Sequence, residues 1–188
     1  YTTYYWRVKT LYNDSFSTDW SSVANFQTDL IWVHPLPYTC DFEDAAEILA
    51  WNVPVVSGNN KNRWYIGHNT YSSVNTSLYV STNTNGNNNS YNNQATSKIW
   101  TYRDIYFDPQ YSGYELSFDA KVNGHPDYAF AQVFVGAPVA PTDSMAAENM
   151  VLIDGGIDPT GTVWKHFDYT LDSTFAGHRR IFFAWQTH

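Results

Sequence analysis

The sequence predicts an all-β protein folded as a two-sheet sandwich, and three observations carry that expectation. Apolar content is concentrated in rings: aromatic residues make up 18% of the 188 residues and charged ones 15%, a balance that suits strands and stacking surfaces better than salt-bridged helices. Segment after segment alternates apolar and polar residues with period two. Apart from Asp44 to Leu49, which reads as a turn or a single helical loop, no stretch shows a helical apolar period of ordinary length.

In chain order, Thr3 to Lys9 alternates as a strand, Asn13-Asp14-Ser15 is a polar turn, and Trp20 to Thr28 contains the answering strand. Two strands and a hairpin do not stand alone in water. Asp29 to Pro37, with two prolines, reads as a linker. From Cys40, Asp41-Phe42-Glu43 begins a strand and Trp51-Asn52-Val53 continues the apolar pattern. Ser57 to Lys61 is a turn, followed by strands at Arg63 to Gly67 and Ser77 to Ser81. Seven of the eleven positions from Asn83 to Asn93 are asparagine, which marks a long polar loop. Lys98 to Phe107 and Tyr114 to Val122 form two strongly alternating strands around Asp108-Pro109. Tyr128 to Val135 is apolar at nearly every position and reads as a strand buried on both faces. Gly136 to Met150 is a surface connection, Val151 to Ile157 a brief strand, and Thr162 to Leu171 and Arg179 to Trp185 complete the set.

The bulk numbers narrow the function. A hydrophobic fraction of 43% suffices for a core, and a net charge of −8 disfavours nucleic acid and anionic membrane surfaces as partners. No apolar run approaches the roughly 20 residues that span a bilayer, and the N-terminus has no charged-then-apolar leader, so any export signal is removed or lies outside this sequence. Cys40, the single cysteine, has no intrachain partner and reads as a small, partly buried thiol. Catalysis is the weakest reading. The six histidines lack metal-ligand spacing, there is no Gly-x-Ser-x-Gly elbow, and Ile153 to Ile157 lacks the lysine and helix of a phosphate loop; a hydrolase-type carboxylate pair stays open.

Two resemblances add to this. Tyr4-Tyr5-Trp6-Arg7-Val8, a variable turn, Trp20-Ser21 and then Phe26-Gln27-Thr28 resemble the last two strands of a fibronectin type III domain. The resemblance implies that residues 1–28 are the C-terminal end of such a sandwich, with its front strands upstream. Further on, Pro37-Tyr38-x-x-Asp41-Phe42-Glu43, Trp64-Tyr65-Ile66-Gly67, Ser77 to Ser81, Tyr102-Arg103-Asp104-Ile105, Leu116-Ser117-Phe118-Asp119, Gly124-x-x-Asp127-Tyr128 and Arg180 to Trp185 form an ordered series. That series resembles the choice-of-anchor J, or cleaved-adhesin-like, domains of secreted Bacteroidetes proteins, which are jelly-roll sandwiches distantly similar to MAM domains and carbohydrate-binding modules. The resemblance covers residues 38–188 and departs from the family in three places. His125 replaces an acidic residue, asparagines replace an Asp-Gly-Gly turn after Ser81, and the chain stops at His188 before a last Asp-Asn-Ile strand.

The resemblances imply a jelly-roll β-sandwich preceded by a partial fibronectin type III sandwich, and a non-catalytic adhesion or ligand-binding module of a large secreted or cell-surface protein. Its partners would be a glycan or a surface protein, together with neighbouring domains of the same polypeptide. A carbohydrate-binding accessory module and a structural spacer are the alternatives. Asp41 and Glu43, alternating on one strand, would share a face and offer hard oxygens to a structural Ca²⁺, with Asp119 and Asp127 added by the resemblance. Trp51, Trp100 and Tyr102 are the candidate sugar-stacking rings. Asp143-Ser144-Met145 and Asp172-Ser173-Thr174 resemble the short O-glycosylation motif of exported Bacteroidetes proteins.

Overall fold

The computed structural model describes every residue except 1, 13–15, 29–32, 52, 54–60, 74, 84, 95, 140–149 and 159. The expected turns at 13–15 and 57–60, the first part of the linker and the motif at 143–145 therefore lie outside the described residues. The chain divides into two compact units, 1–32 and 33–188.

In the first unit, β1 (Thr2–Trp6) pairs antiparallel with β4 (Ala24–Thr28), and β2 (Leu11–Tyr12) pairs with β3 (Phe16–Ser17). Tyr4 stacks on Phe26 across the first pair, with centroids 5.3 Å apart. Arg7 and Lys9, two residues apart and so on one side of an extended chain, both lie over the Trp20 ring, at 4.5 and 5.1 Å.

The second unit is an all-β sandwich. Its first layer is a five-stranded sheet in the order β11-β10-β13-β8-β5. The strands are β5 (Val33–Pro35), β8 (Ser97–Phe107), β10 (Ala129–Gly136), β11 (Met150–Asp154) and β13 (Gly177–Thr187). All pairings in this sheet are antiparallel except β5 with β8. Val33–Pro35 thus falls inside the stretch read as linker and serves as an edge strand. The second layer is split into two antiparallel pairs, β6 (Arg63–Gly67) with β7 (Ser77–Ser81), and β9 (Gly113–Ala120) with β12 (Lys165–Asp172).

The period-two pattern explains how the layers pack. Ile99, Ile105 and Phe107 of β8, Ala129, Ala131, Val133 and Val135 of β10, and Ile181 and Trp185 of β13 form the inner face of the large sheet. Tyr114 and Leu171 close over them from the second layer, joined by Leu116, Phe118 and Phe167. The alternate positions Trp100, Phe134, Phe182 and Ala184 form a second cluster with Met150 on the opposite face. β10 and β13 are therefore apolar on both faces, as expected for Tyr128 to Val135, although the middle position belongs to β13.

The expected strand at Asp41 to Glu43 is not formed. Phe42 has φ 62°, a left-handed conformation that breaks an extended chain. Asp44 then caps a short helix, α1 (Ala45–Ala50), its carboxylate accepting from the Ala46 and Glu47 amides.

Candidate functional site

The split in the second layer creates the candidate site. A cavity of about 780 Å³ lies against the inner face of the large sheet, walled by residues of both two-stranded pairs. Its floor is apolar, with Ile105, Phe107, Ile181 and Phe183 from the large sheet and Leu116 and Phe118 from β9. Aromatic rings of Trp51, Trp64, Tyr91 and Trp164 stand around it, and short polar side chains, among them Thr70, Asn89, Asn123 and Thr162, interrupt them. A volume of this size, mostly apolar with a few polar groups, is typical of small-molecule sites.

A hydrogen-bonded hub fixes one wall. Arg103, on β8, donates from Nε to Glu47 Oε1 at 2.7 Å and from its terminal nitrogen to Oε2 at 3.0 Å. The Tyr38 hydroxyl donates to Glu47 and accepts from Trp51 Nε1 at 3.0 Å. Burial by itself would raise the Glu47 pKa, but hydrogen bonds from Arg103 and Tyr38 outweigh it and hold the carboxyl below its ordinary value. Burial, followed by the Glu47 hydrogen bond, pushes the Tyr38 hydroxyl strongly up, and burial likewise raises the Cys40 thiol. Burial thus favours the protonated, weakly nucleophilic form of Cys40 on this wall.

The other side carries Lys121, whose Nζ donates to Thr70 Oγ1 at 2.7 Å and lies 5.2 Å from the Trp164 ring centre. Beside it, Asp119 accepts from Ser72 Oγ at 3.2 Å and contacts His166 Nδ1 at 2.7 Å, while His166 Nε2 lies 3.2 Å from Asp168. The hydrogen bond to Asp119 raises the His166 pKa, and the same contact lowers that of Asp119.

The expected metal ligands each have a separate task. Asp41 accepts from the Glu43 amide at 3.0 Å, Glu43 accepts from the Asn75 amide at 2.9 Å, and Asp119 is held as above. Asp127 lies 4.0 Å from His125 in the turn before β10. Among the described residues no three His, Cys, Asp or Glu side chains gather as a metal ion would require. The shared face expected for Asp41 and Glu43 is lost because Phe42 turns the chain between them.

The three expected sugar-stacking rings separate. Trp51 lines the cavity, but it is 9% exposed and packs between Phe42 and Phe183. Trp100 is 1% exposed and lies with Tyr102 on the opposite face of the sheet, where Arg180 covers the Tyr102 ring at 3.8 Å. Arg180 is itself held by Asp104, at 2.6 and 2.9 Å.

Sequence reasoning missed Glu47 and Lys121. The Asp44-x-x-Glu47 spacing before an apolar pair is a helix-start signal that would have found the first. No local signal marks Lys121, which acquires its place only when the end of β9 meets the loop between β6 and β7. No protein-family model matches the chain, and no curated protein matches it. The fibronectin type III and choice-of-anchor J resemblances therefore rest on the residues quoted for them.

Proposed function

We propose that residues 33–188 form a non-catalytic ligand-binding module of a secreted or cell-surface multidomain protein, and that the ligand enters the cavity between the layers. The cavity is the observation that carries this reading: it joins an apolar floor to a rim of rings and short polar groups. The polar clusters around it support a binding role over a catalytic one. Arg103 and Glu47 satisfy each other, Cys40 is held as a thiol, and Asp119 is shared between His166 and Ser72.

A glycan end group is the second reading, favoured by the hydroxyl and amide side chains of Thr70, Asn89, Asn123 and Thr162 on the wall. Calorimetric titration of the chain with a panel of glycans and small amphipathic molecules tests both. Binding by at least one class is expected, and it should be abolished in Ala120→Leu, which fills the space from β9 without adding a polar group. Binding that survives in folded Ala120→Leu, or no binding across the panel, would sink the assignment of the cavity.

A further inference from the structure

Two donors that line the cavity have no acidic or carbonyl partner among the described residues. Lys121 reaches only the Thr70 hydroxyl and the Trp164 ring, and among the described residues no carboxylate stands within ion-pair distance of it. Trp185, which also lines the cavity, is 5% exposed, and its buried Nε1–H has no hydrogen-bond partner. Its ring edge packs on Gly124, three residues after Lys121, where an added Cβ would lie 3.1 Å from it.

A half-buried ammonium without a counter-ion attracts an anion, and a buried N–H left unpaired costs free energy that a ligand acceptor would recover. Arg103, the other cation of the wall, is already matched by Glu47. Asp119 and Glu115 also border the cavity, but Asp119 is matched by His166, and Glu115 belongs to the exposed positions of β9. Below Lys121 the floor is aliphatic and aromatic, so a ligand made wholly of hydroxyl groups would leave them facing Leu116, Phe118 and Ile181.

We propose that the cavity takes an amphipathic carboxylate, such as an aliphatic fatty acid, with its head group at Lys121 and its chain over the apolar floor. This rests on reading the cavity as the binding site. Laurate, lauryl alcohol and galacturonate titrated into the 188-residue chain, followed by tryptophan fluorescence and calorimetry, test it. Laurate is expected to bind saturably, about tenfold more tightly than the alcohol, and to lose about tenfold in affinity in Lys121→Gln but little in Lys121→Arg. Circular dichroism establishes that both variants are folded.

Equal laurate affinity in the wild type and folded Lys121→Gln would overturn the head-group assignment. Binding of galacturonate but not laurate would overturn the aliphatic class and leave the ligand-binding reading standing, provided Ala120→Leu abolishes it. Failure of all three probes would overturn this proposal, whereas the wider panel alone decides the ligand-binding reading.

Discussion

Glu47 ties the 38–51 segment to the large sheet through Arg103, whose side chain is 3% exposed against 18% for Glu47. Removing one partner of such a pair leaves the other charge buried, so Glu47→Gln is expected to cost about 3 kcal/mol in urea unfolding. The pH dependence follows from the depressed Glu47 pKa. A carboxyl whose folded value lies below its unfolded value stabilises the fold at pH above the unfolded value, and that stability is lost as pH falls through the folded one. Wild-type stability should therefore fall as pH drops through and below the ordinary glutamate range, and the fall should be shallower in Glu47→Gln. Parallel acid limbs in the two proteins would show that Glu47 is not the group responsible.

At the scale of elements, the Asn83 to Asn93 loop is ordered by its own amides. Asn83 Oδ1 accepts from the Asn85 and Asn87 amides, Asn88 Oδ1 accepts from Ser81 and Thr82, and Asn62 brackets the Asn92 backbone. Gly86 anchors it at φ 64°, its carbonyl accepting from Tyr79 at 2.6 Å, and an added Cβ would meet the Tyr65 ring at 2.7 Å. Gly86→Ala is expected to cost more than about 1 kcal/mol, read as a lowered midpoint in thermal melting. An unchanged midpoint would mean that the loop relaxes freely around Tyr65. This loop shows where the sequence stops being legible. Period-two alternation revealed β8 and β9 because each turns one side-chain set toward the core between the layers. The asparagine run announced a loop but not which amide meets which backbone group, since those partners are set by tertiary packing. Asp41 to Glu43 read as a strand for the same reason: alternation alone does not reveal that Phe42, packed 5.3 Å from Trp51, adopts a left-handed backbone.

Over the whole molecule, every buried apolar residue among the described ones belongs to 33–188. The first unit instead exposes its large side chains, Tyr5 and Leu11 foremost among them. Two-stranded pairs of this kind are marginal in water, and chains below about 40 residues rarely fold without a disulfide, a metal or a partner. The second unit holds two apolar clusters on the two faces of one sheet, and its buried ion pairs, Glu47 with Arg103 and Asp104 with Arg180, connect residues within that unit alone. Residues 33–188 produced alone are therefore expected to melt cooperatively within a few degrees of the longer chain, because no part of either cluster is lost. A peptide of residues 1–32 should give the circular dichroism of an unfolded chain. If instead the shorter protein lost its cooperative transition, the first unit would have to supply packing to the sandwich, and the division of the chain at residue 32 would not describe how it folds.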